Sequence, residues 1–96
     1  MGRGYWITFY RRIMNADALA AYARLAGPAI ESGGGKFLAR GVPVKAYDAG
    51  LKERAVLIEF ETVEKAIATF ESANYQAAAK HLSGAVERDV RIVEGT

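Results

Sequence analysis

The chain has no cysteine, one histidine, one tryptophan and two prolines among its 96 residues. Without cysteine it forms no disulfides, thiolate nucleophiles or cysteine-ligated metal centres, and the single His81 rules out multi-histidine metal sites. No stretch approaches the roughly 18 apolar residues that cross a bilayer, and the N-terminus lacks the apolar core of a signal peptide. We therefore expect a cytoplasmic protein with no membrane association, no metal and no cofactor.

The chain also has little excess of one sign of charge. The net charge is +2: residues 1–48 hold seven Lys or Arg against three Asp or Glu, and residues 49–96 hold six against eight. This small, dispersed excess is not the basic footprint that nucleic-acid binding requires. The chain is also short for a self-sufficient core, and it has no disulfide to stabilise it, so we expect a homodimer.

Hydrophobic periodicity predicts the order of helices and strands. Strands are indicated over residues 5–11, 36–41, 54–60 and 89–94, with a polar excursion over 42–53. Apolar stripes at helical spacing follow three capping residues, Asn15, Thr62 and Ser72. Pro28 is expected to kink or split the first helix, and the glycines at 33–35 are expected to end it. The order β-α-β-β-α-β predicts one ferredoxin-like α+β domain over residues 1–96, with an antiparallel sheet ordered 4-1-3-2.

Alternation along the strands divides their side chains between two faces of the sheet. An almost uniformly apolar set is expected beneath the helices: Tyr5, Ile7, Phe9, Phe37, Ala39, Val56, Ile58, Phe60, Val90 and Ile92. A set that mixes large apolar groups with charges is expected on a bare face: Trp6, Thr8, Tyr10, Leu38, Arg40, Leu57, Glu59, Arg91 and Val93. An exposed apolar patch of this size predicts that a second protomer covers it.

Two such sheets stacked face to face would enclose a partly polar cavity, which is the predicted binding pocket. Arg40 is expected to anchor an anion there, and Glu59 to act as a catalytic base from the neighbouring strand. The alternative is a structural ion pair that fixes the register of the dimer. Trp6, Thr8 and Tyr10 are expected to contact a planar ligand, although aromatic residues also dominate interface packing.

Three further features of the sequence bear on function. His81 is a candidate acid or base, because imidazole titrates near neutrality, and a surface histidine without such a role is the alternative. The run over residues 33–36, GGGK, is no phosphate loop, because Ile30 and Phe37 occupy positions that need Gly and Ser or Thr. The third strand, RAVLIEF, lacks the stacking aromatics of an RNA-recognition strand.

Several motifs in order along the chain resemble one known family. They are Tyr5-Trp6-Ile7, GGKFLARG over residues 34–41, Arg54-x-Val56-x-Ile58-Glu59-Phe60, Tyr75-Gln76-Ala77 and Ile92-Val93-Glu94-Gly95. Together they resemble the domain of unknown function numbered 1330. The resemblance implies the dimeric α+β barrel superfamily, which includes cofactor-free monooxygenases, and the family has no agreed activity. By position, it also implies a ligand-binding role for Tyr75 beside Arg40 and Glu59.

Two functions from different classes remain open. The first is a homodimer that binds a small organic acid or aromatic metabolite, either as a binding protein or as a cofactor-independent enzyme. The second is a non-catalytic structural or interaction module whose sheet face only forms the dimer. An enclosed void of ligand size favours the first, and a fully packed interface favours the second.

Overall fold

Four strands and three helices follow one another in the predicted order over residues 2–96, the part of the chain described by this computed structural model. The strands form one antiparallel sheet in the order β2-β3-β1-β4, which confirms the ferredoxin-like α+β fold. The elements are β1 (Gly4–Ile13), α1 (Ala16–Ser32), β2 (Lys36–Gly41), β3 (Ala55–Phe60), α2 (Val63–Phe70), α3 (Ala73–Ala79), a 3-10 turn (Lys80–Leu82) and β4 (Val86–Glu94).

The three predicted capping residues all begin helices. The side chains of Asn15, Thr62 and Ser72 accept hydrogen bonds from backbone N–H groups at the starts of α1, α2 and α3, at 3.0, 3.1 and 3.2 Å. Each cap satisfies a donor that has no partner inside the helix. Within residues 2–96, no helix combines the length and hydrophobicity that a membrane span needs.

Pro28 does not split α1, which runs as one helix from Ala16 to Ser32. Proline removes one backbone hydrogen bond, but Ala26 and Ile30 on either side of it are buried and hold the helix against the core. The helix ends in the predicted glycines. Gly34 takes a positive φ of +97°, and a Cβ on Gly35 would lie 2.8 Å from the Phe60 ring.

The two faces of β1 are the reverse of the prediction. Trp6, Thr8 and Tyr10, expected on the bare face, are buried beneath the helices. Nearly every residue from 5 to 10 is large and apolar, so alternation alone does not assign the faces of this strand. Packing decides: the Trp6 ring lies edge-on to Tyr75 with centroids 4.8 Å apart, and its indole N–H donates to Thr8 Oγ1 at 3.0 Å. The core thus receives the largest ring together with a hydrogen-bond acceptor for it.

A bulge in β2 changes a second assignment. Phe37 lies opposite Ile58 and Arg40 lies opposite Val56, with the register shifting between Phe37 and Ala39. The extra residue places Phe37 and Arg40 on the same, helix-covered face, and Ala39 on the other. The predictions that Arg40 lies on the bare face and Ala39 under the helices are therefore wrong.

The bare face of the sheet carries a row of apolar side chains across its centre. Cross-strand pairs there are Tyr5 with Glu59, Ile7 with Leu57, and Phe9 with Ala55. Phe9 is 47% exposed. The segment over residues 42–53, predicted to be polar, adds four exposed large apolar residues beside this face: Val42, Val44, Tyr47 and Leu51.

Candidate functional site

A narrow cavity lies between α1 and the helix-covered face of the sheet. Its volume is about 30 Å³, which admits roughly two water-sized groups. Its aromatic and polar lining comes from the strands and from one turn of α1. The lining residues are Trp6, Thr8, Tyr10, Leu19, Tyr22, Ala23, Ala26, Gly27, Ile30, Phe37, Arg40, Arg54, Val56 and Ile58.

Small residues on α1 leave this space unfilled. Ala23, Ala26 and Gly27 line the cavity, and with one carbon or none their side chains are too short to fill it. The helix packs chiefly against α3 and the 3-10 turn and hardly touches β2. The cavity is therefore a cleft between α1 and the β2–β3 half of the sheet.

A buried polar cluster lies behind one wall of the cleft. The hydroxyls of Tyr22 and Tyr75 are 2.6 Å apart, and Arg88 Nη1 donates to both, at 3.3 and 3.0 Å respectively. Tyr22 is 8% exposed and Tyr75 is fully buried. Tyr10 is the cross-strand neighbour of Arg88, so a third phenol approaches the same guanidinium.

Two of these phenols, Tyr22 and Tyr10, have a raised pKa. Burial raises the pKa of Tyr22 well above its usual value, and the nearby Tyr75 adds to the rise. Burial and Tyr22 raise the pKa of Tyr10 in the same way, while Arg88 and Arg54 oppose the rise. Both side chains are therefore neutral hydrogen-bond donors at physiological pH.

Positive charge surrounds the cleft without a matching carboxylate. Arg40 and Arg54 line it, and Arg40 lies over the Phe37 ring with its guanidinium carbon 4.2 Å from the centroid. Within residues 2–96, neither of these arginines nor Arg88 forms an ion pair, and no lining residue is acidic. The cleft therefore has an electrostatic preference for negative charge.

The structure brings together four of the residues predicted to bind a ligand, but on the other side of the sheet. Trp6, Thr8, Tyr10 and Arg40 line one cleft beneath α1, and not a chamber between two sheets. Tyr75 contacts the cleft through Tyr22. Whether these residues bind a ligand stays a prediction.

Glu59 lies on the bare face, so the predicted pairing with Arg40 on one face is wrong. Lys36 and Tyr5 flank Glu59 across the sheet, whereas Arg40 pairs with Val56 on the opposite face. The Tyr5 hydroxyl donates to Glu59 Oε2 at 3.0 Å, which raises the pKa of Tyr5. His81 is exposed in the 3-10 turn and is not among the residues that line the cleft. The catalytic roles of Glu59 and His81 stay predictions.

Three functional candidates were missed from the sequence. Tyr22 lies on the apolar stripe of α1, which by itself indicates only a core position, and Arg88 lies just before the predicted fourth strand. Arg54 enters the sequence analysis only as part of a family motif. A signal for Arg88 exists: with β4 extended by three residues, it falls opposite Tyr10.

A family model described as "Domain of unknown function (DUF1330)" matches residues 3–96. The chain belongs to this DUF1330 family. Membership confirms the resemblance seen in the sequence motifs. No functionally curated protein is similar in sequence to this DUF1330 chain.

Solved structures similar to the DUF1330 chain share its fold. A protein of unknown function from Rhodopseudomonas palustris has a TM-score of 0.77 at 21% identity, over 99% of this chain and 83% of that one. A dimeric ferredoxin-like protein of unknown function from Thermobifida fusca has a TM-score of 0.67 at 16% identity, over 98% and 92%. SnoaB, a cofactor-independent oxygenase from Streptomyces nogalater, has a TM-score of 0.68 at 9% identity, over 100% and 95%.

Proposed function

We propose that this DUF1330 chain binds a small molecule in the cleft between α1 and the sheet. The proposal rests on one observation, which is that aromatic rings, a buried phenol donor and two arginines without a carboxylate partner line the same void. Apolar walls with a few oriented polar groups are the usual composition of small-ligand sites. The role assigned is binding, because no carboxylate, imidazole or other proton-accepting side chain lines the void.

A variant that fills the cleft tests this proposal. Ala23→Leu adds three carbons at the lining of the void, and Ala20→Leu makes the same change at an exposed position of the same helix. Saturation-transfer NMR against a library of small organic compounds should give ligands that bind the wild type and Ala20→Leu but not Ala23→Leu. Ligands that bind all three proteins equally would show that the cleft is not the site. A library without hits would instead favour the alternative, a non-catalytic structural or interaction module.

We also propose that residues 1–96 act as one domain that pairs with a second copy through the bare face of the sheet. Supporting observations are the exposed Phe9, Leu38 and Val93 on or beside that face, and its continuity with a shallow apolar depression. That depression of about 510 Å³ extends from Ile7 and Leu57 to Val42. The similar Thermobifida fusca protein is described as dimeric.

Sedimentation velocity measures the assembly directly. At micromolar concentration, the wild type should sediment as a species of twice its 10.4 kDa mass. A stable monomer across the same concentrations would refute the pairing but not the ligand site, since the two lie on opposite faces of the sheet.

A further inference from the structure

The hydrogen bonds around Tyr22 leave one hydrogen without an acceptor. Arg88 only donates, and it donates to the hydroxyl oxygens of both Tyr22 and Tyr75. Between the two tyrosines there is a single hydrogen bond of 2.6 Å, so only one phenolic hydrogen is used in it. The other hydrogen must point elsewhere.

Burial decides which tyrosine keeps the unused hydrogen. Tyr75 is fully buried, does not line the cleft, and has no further hydrogen-bond partner within residues 2–96. A buried donor without an acceptor destabilises the fold, so Tyr75 should donate to Tyr22. Tyr22 is among the residues that line the cleft, so the cleft is the open space in which an acceptor for its own hydrogen can lie.

The charge of the surroundings selects the kind of acceptor. Arg88 polarises the Tyr22 hydroxyl from behind, while Arg40 and Arg54 lie on the lining itself. None of these three guanidinium groups has a carboxylate partner within residues 2–96. Arg54 and Arg88 are half-buried, and half-buried cations without counter-ions favour an anion from outside.

The size of the void selects the anionic group. About 30 Å³ has room for roughly two water-sized atoms, which is the two oxygens of a carboxylate and too little for an aromatic ring. A larger body would remain at the mouth, where Arg40 lies over Phe37.

We propose that the ligand of the cleft is a small organic acid, bound through a carboxylate that accepts a hydrogen bond from the Tyr22 hydroxyl. This inference rests on the proposed ligand site and specifies its chemistry. Tyr75 and Arg88 act as positioning residues, because they orient and polarise that donor without lining the void.

Paired probes of equal shape test the carboxylate. Acetate and propionate are titrated against acetamide and propionamide at constant ionic strength, with the fluorescence of Trp6 as the readout. Trp6 is the sole tryptophan and lines the cleft, so it reports occupancy without a label. We expect saturable changes with both acids and affinities at least about tenfold weaker for both amides, since a charged acceptor forms the stronger hydrogen bond.

A single-atom change tests the donor. Tyr22→Phe should weaken binding of both acids at least about tenfold and leave the amides unchanged. Tyr47→Phe removes the same atom from an exposed tyrosine and should bind like the wild type. If Tyr22→Phe does not fold, the comparison of acids with amides on the wild type still decides the proposal.

The outcomes separate this inference from the ligand site itself. Amides that bind as tightly as acids, with both lost in Ala23→Leu, would overturn the carboxylate but retain the cleft. Acids that bind Tyr22→Phe as tightly as the wild type would overturn the role of the donor. If none of the four probes binds while library ligands still bind in the cleft, the assignment of a carboxylate ligand is again wrong. If no library ligand binds either, the proposed ligand site is wrong as well.

Discussion

The Tyr22 hydroxyl links the stability of the fold to pH. Burial, with Tyr75, raises the pKa of Tyr22 above its ordinary value of 10.0. Above about pH 10, the unfolded chain therefore loses this proton while the folded chain keeps it, and the free energy of unfolding falls as pH rises. Below pH 10 both states hold the proton, so this group contributes no pH dependence there.

Tyr22→Phe should make that alkaline fall shallower. At pH 7 the variant should also lose about 1–3 kcal/mol of unfolding free energy, because Tyr75 and Arg88 lose a buried partner. Urea unfolding at pH 7 and at pH 10.5 measures both effects. Tyr47→Phe, at an exposed tyrosine, should keep the wild-type profile, and an equally shallow fall in that control would contradict the assignment to Tyr22.

Gly35 is required by close packing. A Cβ there would lie 2.5 Å from Ile30 Cγ2 and 2.8 Å from Phe60 Cζ. Gly35→Ala should therefore destabilise the fold by about 1–3 kcal/mol through overpacking. Gly34 has a positive φ, and a Cβ there would meet no atom within 4 Å. Gly34→Asn should therefore lose less unfolding free energy than Gly35→Ala, because asparagine tolerates that backbone conformation. Thermal unfolding ranks the two variants, and an Asn variant that is the less stable would refute this reading.

At the scale of elements, Ser72 separates α2 from α3. Its hydroxyl donates to the Thr69 carbonyl at 2.7 Å and accepts from the Tyr75 backbone N–H at 3.2 Å. Ser72→Ala should cost about 1 kcal/mol of unfolding free energy. Because this cap also fixes the first turn that carries Tyr75, the variant should bind propionate more weakly.

Ser83→Ala is the matched change for that experiment. Ser83 is exposed after the 3-10 turn, and its side chain makes no hydrogen bond within residues 2–96. Chemical denaturation should find it within about 0.5 kcal/mol of the wild type. Equal losses in the two serine variants would mean that the Ser72 cap has no special weight.

The elements could be predicted from the sequence because their signals are local. Asn15, Thr62 and Ser72 each precede an apolar stripe, and each begins a helix where expected. The faces of β1 could not be predicted, because Trp6 and Phe9 are equally apolar and only tertiary packing tells which ring enters the core. The side of Arg40 depended on one bulged residue in β2, which leaves no mark in the alternation.

The same two details determine how much of the site could be predicted. Trp6, Thr8, Tyr10 and Arg40 were grouped correctly, because an inverted β1 and a bulged β2 move them to the same new face together. Glu59 lies on β3, whose faces are as predicted, so it remains on the bare face. Its predicted pairing with Arg40 is therefore wrong. The cluster behind the cleft joins α1, α3 and β4, and no local pattern in the sequence brings Tyr22, Tyr75 and Arg88 together.

For the whole molecule, the sheet separates the two proposed sites. The cleft lies under α1 on one face, and the proposed pairing surface lies on the other. Neighbouring residues of β1 serve both: Thr8 and Tyr10 point to the cleft, and Phe9 between them points away. Pairing and ligand binding should therefore be separable by substitutions on a single strand.

Phe9→Arg places a charge in the centre of the proposed pairing surface. The monomer should accommodate it, because position 9 is 47% exposed. A second apolar sheet should not, because a buried unpaired charge costs several kcal/mol. Sedimentation velocity should find Phe9→Arg monomeric, while Ile67→Arg, an equal change at an exposed position of α2, should remain dimeric.

Trp6 fluorescence should report propionate binding by the monomeric variant with an affinity within about threefold of the wild type. If binding is lost together with the dimer in a folded Phe9→Arg, the partner subunit completes the site and the cleft beneath α1 is not sufficient.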